Sequence, residues 1–385
     1  MDGNNDLEPY ILQNVLEMES IGSSPEVNIV AQLSRAPRTA IYDSHSRKKT
    51  GIDGDWIGSR RYLIEKNPQS DNNPDKKIIS TPLLDSSATP NHGDPRTLSD
   101  FLTWGIQNFP AKHYMVVISD HGEGFRGTGF DMFYKDHLEL PELKQALEMA
   151  RAQTGVKPDV ITFDTCLMAH SETAFQLKDA AQYMVASEEL VGAEGLPNIA
   201  LLKHLTETPQ ADPRSLASTV VDLSRADAVL RAKEGRDEAA PQMSAIDLSR
   251  LQPVADAFKD LGAALKASHL RASTLTSIIK STKHFSQREK PLSDFRDVVD
   301  FCDKLEAHPG LNSDIQGAAT RLREAVGGAC INQHNEGENM ERAQGLSVYL
   351  PTKPRFEKHH YGATDFDQAT DWSAWLSSKF KSATE

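Results

Sequence analysis

The sequence predicts an α/β protein, a mostly parallel sheet with helices on both faces and an added C-terminal helical subdomain. Three observations carry this. Short apolar runs of strand character at residues 27–33, 115–118, 160–163 and 184–187 are separated by stretches with helical spacing. Such alternation favours parallel pairing with helices packed on the sheet. Two of the runs lead into reactive side chains, Ser119-Asp120-His121-Gly122 and Asp164-Thr165-Cys166. In open α/β sheets, sites form beyond the carboxyl ends of strands.

The elements follow in order. Residues 7–18 have helical spacing, and Leu12, Val15, Leu16 and Met18 can share one face. After the strand at 27–33, residues 40–64 look like a pair of strands around a polar tip. Residues 67–94, rich in Asn, Asp, Pro and Ser, read as a surface loop with a short strand at 77–79. Thr97-Leu98-Ser99-Asp100 caps a helix reaching about residue 108. The strand before His121 comes next, then a glycine-rich loop, a helix over about 141–154, and the strand before Cys166. A helix to about residue 180 and the strand at 184–187 complete this half.

Beyond residue 211 the pattern is mainly helical: 212–235, a strand at 243–248 with a helix to about 267, and helices near 270–283 and 294–307. Late strands are expected at 328–333 and 345–350, and a closing helix at 372–380. Residues 1–210 are therefore expected to form the core carrying the reactive pair. Residues 211–385 are expected to complete the sheet and add the helical subdomain.

Composition narrows the function classes. With 385 residues, 38% hydrophobic and 25% charged, the chain suits a globular protein. No apolar run approaches the roughly 18 residues of a membrane span. The opening Met1-Asp2-Gly3-Asn4-Asn5-Asp6 has no signal-peptide pattern as written, although a secreted protein with a truncated start would look the same. A net charge of −13 argues against nucleic acid as a partner and is compatible with a basic substrate. Cys166, Cys302 and Cys330 show no CxxC pairing, so neither a disulfide framework nor a zinc site is expected.

The chemistry concentrates at the two strand ends. A cysteine nucleophile acts as its thiolate, which a nearby histidine can generate or stabilise. Cys166 is expected at a strand-to-helix junction, where the helix dipole would favour the thiolate. The N–H groups of Gly122 and Cys166 are candidates for an oxyanion hole. An arbitrary cysteine is more often a small buried hydrophobe. Cys302, on a stripe with Phe295, Val298, Val299 and Leu305, and Cys330, in a late strand, both read as core. His45, His92, His269, His359 and His360 lie in polar context and read as surface residues.

Residues 122–127 match GxGxxG after a strand, but a dinucleotide site needs a helix starting within the motif, and here it starts near 141. Asp53-Gly54-Asp55 hints at a calcium loop, but Ile57 and Ile64 break its ligand pattern, which leaves a turn.

At these residues the sequence resembles the clostripain family of cysteine peptidases, within the caspase–gingipain–legumain clan. The similar blocks run in order: the Asn-Asn turn and Asp6-Leu7-Glu8-Pro9-Tyr10-Ile11-Leu12, Asp55-Trp56, Arg60-Arg61-Tyr62, His121-Gly122-Glu123-Gly124, and Phe163-Asp164-Thr165-Cys166-Leu167-Met168. They continue through Ala186-Ser187-Glu188-Glu189, Ser244-Ala245-Ile246-Asp247-Leu248 and Gly345-Leu346-Ser347-Val348-Tyr349-Leu350-Pro351.

The resemblance implies a caspase-like sheet and an endopeptidase that cuts after Arg or Lys in peptide or protein substrates. It makes His121 and Cys166 a catalytic dyad with no required third acid. Asp164 would lie in the S1 pocket, facing a guanidinium or ammonium; taken alone, it reads first as a helix N-cap. Glu194 stands where some members carry a second acidic S1 residue, usually aspartate; its plain reading is a solvated turn residue.

Self-cleavage in the loop after the histidine would follow Lys135, with Arg126 and Lys144 as competitors. A monomer is expected. No cofactor or metal is required by the residues, although calcium dependence occurs in the family. Two departures stand out. The family's hydrophobic strand before the Asn-Asn turn has no counterpart here, so either the sheet lacks a central strand or the sequence is truncated. Gly195-Leu196 also replaces a common Gly-Trp. A catalytically silent scaffold with the same fold is the alternative, and a nucleotide-binding protein the more distant one.

Overall fold

The computed structural model describes residues 1–37, 52–67, 76–236, 240–268, 270–286, 294–352 and 358–380. Its strands fall into two main sheets. The N-terminal sheet contains β1 (Asp2–Gly3), β2 (Val30–Arg35), β3 (Gly58–Leu63) and β4 (Pro82–Ser86), in that order. β1 and β2 are parallel, and the remaining pairs are antiparallel. Next come β5 (Met115–Ser119), the hairpin of β6 (Thr128–Asp131) and β7 (Asp136–Leu138), β8 (Val160–Asp164) and β9 (Tyr183–Ala186). β10 (Met243–Asp247), β11 (Phe295–Asp297), β12 (Cys330–His334) and β13 (Ser347–Tyr349) complete the set.

The central sheet runs β12-β10-β9-β8-β5. Parallel pairing is confined to β5, β8 and β9, while β10 and β12 add antiparallel at the far side. Successive strand residues point to opposite faces, and the core follows that rule. Ile161, Phe163, Met184 and Ala186 pack with the helices Leu140–Thr154 and Leu251–Ala267. Val160, Val185, Met243 and Ala245 pack on the other face with the helices Asn198–Glu207 and Pro213–Glu234.

Several local expectations shift for identifiable reasons. The first helix spans Glu8–Ile21. The next is Pro95–Asn108, started by Asp94 and Pro95 rather than by Thr97, because the Asp94 carboxylate accepts from the Arg96 N–H. Residues 77–79 form no strand. The N–H groups of Ile79 and Ser80 bond to the Glu19 carboxylate at 3.0 and 2.8 Å instead of to a ladder.

The expected helix at 294–307 is a short strand, β11, followed by the helix Val298–Glu306; β11 pairs with β13, outside the central sheet. His92 is largely buried near Asp2, and burial pushes its ring down to about 3, so it is no surface cation. His360 is exposed and bonds Glu139 at 2.9 Å. Residues 40–51 of the expected N-terminal hairpin, with His45, lie outside the described residues, as do His269 and the side chain of His359.

Between the two sheets lies a cavity of about 410 Å³, lined by Val30, Ala31 and Gln32 of β2 and by Met115, Val116 and Val117 of β5. Among the described residues, no helix is long and apolar enough to cross a membrane.

Candidate active site

β5 and β8 are adjacent and parallel, with Ser119 paired to Asp164 at their carboxyl ends. His121 and Cys166 each lie two residues beyond that pair (121 − 119 and 166 − 164), in the loops that leave the carboxyl ends of adjacent strands. Gly122 fixes the approach of the two loops. A Cβ at this position would lie 2.4 Å from the Cys166 carbonyl oxygen and 2.9 Å from Thr165 Oγ1. Only glycine allows the loops to close this far.

Cys166 is partly buried, in a turn that passes through Leu167 at φ 59°. The expected helix dipole is not available to it. The helix Ser171–Gln176 begins five residues later (171 − 166), with His170 as its N-cap, and the dipole effect fades within one turn. The intervening chain instead bonds across to the segment after β9, from Leu167 N–H to Glu189 O at 3.1 Å and from Ala169 N–H to Ser187 O at 2.9 Å. That segment supplies a different donor: the Val191 N–H reaches Cys166 Sγ at 3.3 Å. The Val191 carbonyl also lies 3.6 Å from Sγ, where it can accept from the thiol. Burial pushes the Cys302 thiol well up and the Cys330 thiol up to about 12.

His121 meets an acid that the sequence did not single out. Its Nε2 lies 2.7 Å from Asp6 Oδ1. The turn carrying Asp6 is pinned to the loop after β5 and to the end of β6: Asn5 Nδ2 donates to Asp120 Oδ1 at 2.6 Å and Asn4 Nδ2 to Asp131 Oδ2 at 2.8 Å. Asp120 Oδ1 also accepts the His121 backbone N–H. The hydrogen bond from His121 holds the Asp6 carboxyl below the usual range, whereas burial raises Asp120 well above it. Position 6 is 115 residues from His121, and no local pattern signals the contact.

Asp164 ends β8 and is 7% exposed. Its Oδ2 accepts from Ser119 Oγ at 3.1 Å and its Oδ1 from the Leu196 N–H at 2.9 Å. These bonds come from β5 and from the loop after β9, so Asp164 is not a helix cap. Burial pushes its carboxyl up to about 6 against the pull of both bonds. Gly195 lies on the carboxylate at φ 69°, and a Cβ there would sit 2.5 Å from Asp164 Oδ1.

The Glu194 side chain is about half exposed and lies 3.9 Å from Arg231, which is also paired with Asp227 at 2.6 Å. A second acid near Asp164 is Glu17 on the first helix. It accepts from Asn198 at 3.3 Å and is raised by burial, with the Asp164 charge adding to the effect.

Lys135 is exposed at the tip of the β6–β7 hairpin, at φ 56°. Its competitors are engaged, Arg126 with Glu123 at 3.5 Å and Lys144 with Asp365 at 2.7 Å. The glycine-rich motif turns through Gly124–Arg126 into β6, and the next helix, Leu140–Thr154, starts from its own capping box at Glu139. Asp53 accepts from Trp56 Nε1 at 2.7 Å. Among the described residues, no group of three or more His, Cys, Asp or Glu side chains converges as a calcium cage would need.

Comparison with known proteins gives a consistent result. The model of the clostripain family matches residues 1–379. Clostripain of Hathewaya histolytica is 23% identical over 425 residues, covering 98% of this chain and 78% of that protein. A secreted C11 cysteine protease from Bacteroides thetaiotaomicron, solved in complex with an irreversible peptide inhibitor, superposes with a TM-score of 0.67 at 18% identity, covering 97% of each chain. An inactive zymogen C11 protease from Parabacteroides distasonis gives 0.65 at 15% identity and 96% of each chain. The fold is that of these proteases, and the chain belongs to the clostripain family of cysteine peptidases.

Proposed function

We propose that this peptidase cuts peptide bonds after Arg or Lys, with Cys166 as nucleophile, His121 as its acid–base partner and Asp164 at the base of the P1 pocket. The observation that carries this is the Ser119–Asp164 register, which sets His121 and Cys166 equally beyond two adjacent parallel strands. The thiolate attacks the scissile carbonyl carbon, and a C–S bond forms. The N–H groups of Gly122 and Cys166 hold the developing oxyanion. His121 gives its proton to the departing amine as the C–N bond breaks, then takes one from the water that hydrolyses the thioester.

Asp164 supports the specificity. It is a carboxylate two residues from the nucleophile, ionised in the main at neutral pH by its value of about 6. A bound guanidinium or ammonium would hold it charged. The enzyme acts as a monomer on peptide and protein substrates and cleaves itself after Lys135, in the exposed hairpin tip.

The test is turnover of Arg- and Lys-aminoacyl fluorogenic peptides, with labelling by an Arg- or Lys-chloromethyl ketone. Wild type turns over and is labelled at Cys166, while Cys166→Ala and His121→Ala do neither. Turnover by Cys166→Ala refutes the nucleophile. Intact-mass measurement of wild type beside Cys166→Ala reads self-cleavage, and an active wild-type chain that stays whole removes it.

A further inference from the structure

We propose that Asp6 is a positioning residue of the catalytic apparatus, holding the His121 ring by Nε2 so that Nδ1 is the nitrogen that exchanges protons with Cys166 and the leaving amine. This rests on the Cys166–His121 reading above and adds a third member to the pair. The contact is a 2.7 Å bond between Asp6 Oδ1 and His121 Nε2. An ionised carboxylate only accepts, so Nε2 must carry the proton. A neutral ring bonded in this way has its lone pair at Nδ1, the tautomer fixed by its acid partner. When the ring becomes imidazolium during the reaction, Asp6 is its counter-charge.

A half-exposed ion pair commonly contributes little, because two mobile side chains must be ordered to make it. Asp6 differs in its anchorage. Its neighbours Asn4 and Asn5 are fully buried and bonded to Asp131 and Asp120, on either side of the His121 loop. Asn5 Oδ1 also accepts the Leu7 N–H at 2.9 Å, closing the turn around Asp6. The acid is therefore presented from a fixed backbone. Nor does it serve as the cap of the first helix. The N-cap there is Leu7, with no side-chain cap bond. The Asp6 carboxylate instead meets the histidine ring.

The experiment compares Asp6→Asn and Asp6→Glu with wild type and His121→Ala, on whichever Arg or Lys peptide is turned over. The expected result for Asp6→Asn is a fall in kcat of about ten- to a hundredfold, short of the ~10⁴ of a buried triad acid because water reaches Asp6. KM and the melting temperature stay near wild type, and Asp6→Glu recovers most of the rate. Nitrogen-15 NMR of labelled histidine shows His121 as the Nε2–H tautomer in wild type and as a mixture in Asp6→Asn. Wild-type kcat in Asp6→Asn overturns the proposal. So does an Asp6→Glu variant as impaired as Asp6→Asn with an equal loss of melting temperature, the mark of a merely structural turn. In either case an inactive His121→Ala leaves the dyad standing, whereas activity in His121→Ala overturns both readings.

Discussion

Two aspartates flank the reactive pair, and their surroundings drive them in opposite directions. Asp6 is half exposed beside a histidine ring, and the bond to that ring holds its carboxyl below the usual range. Asp164 is sealed under Gly195 and Leu196, and burial lifts its carboxyl to about 6. One carboxylate is charged before a substrate arrives. The other sits near the balance point and gains most from a cation that enters beside it. Burial, rather than residue type, sets the two identical side chains apart, as their proposed roles of ring holder and cation selector require.

The contrast can be broken in several ways, the largest first. Asp164→Asn should lower kcat/KM on Arg and Lys peptides by about 10²–10³-fold, the scale of stranding a buried charge, with little change on an uncharged P1 peptide. An equal loss on both substrates would remove Asp164 from specificity. Gly195→Ala should cost about 1–3 kcal/mol of stability in urea unfolding, because it combines a left-handed backbone with a Cβ forced against the carboxylate. An unperturbed variant would mean that the loop can lift off Asp164.

The two acids also predict different pH behaviour. Asp164 is neutral below about 6 and charged above it, so kcat/KM on a Lys peptide should rise as pH increases through that value. Stability carries the opposite sign. The folded state binds the Asp164 proton more tightly than the unfolded chain does at its ordinary 3.8, so this contribution is present at low pH and lost as pH rises through about 6. Comparing Asp164→Asn with wild type across this window isolates it. Asp6, with a lowered carboxyl, contributes stability above the ordinary carboxylate range and loses it on acidification.

Ser119→Ala removes a bond to the ionised form and should move the rising limb of the Asp164 profile to higher pH, a change on the scale of one hydrogen bond, about 0.5–1.5 kcal/mol. Glu194→Gln should alter kcat/KM less than about threefold, because its charge already faces Arg231 at an exposed site. A larger loss would return Glu194 to the pocket.

What the sequence made legible was local. Short apolar runs ending in His121 and Cys166 identified β5 and β8 because a strand's burial is written in consecutive residues. The stripe around Cys302 correctly placed it in the core. The contacts that refine the site are tertiary. Asp6 reaches His121 across 115 residues, Glu194 meets Arg231 on a later helix, and Val191 approaches Cys166 from the far side of β9. None leaves a periodic trace. The helix dipole expected at Cys166 is missing because Leu167-Met168-Ala169, helix-compatible by residue type, bond through the Leu167 and Ala169 N–H groups to the segment after β9. Asp164 is no helix cap because its acceptors are filled from β5 and the Leu196 loop.

The left-handed backbone at Lys135 has a consequence for timing. A protease grips its substrate as an extended strand, and a tight hairpin tip at φ 56° does not fit that mould. Before the Lys135–Asp136 bond can be threaded past a cysteine, β6 must unzip from β7 and trade its turn for a straight run. Maturation after Lys135 would then run on a conformational clock set by the opening of a small hairpin. Loosening that turn would advance the clock without touching a single group at the reaction centre.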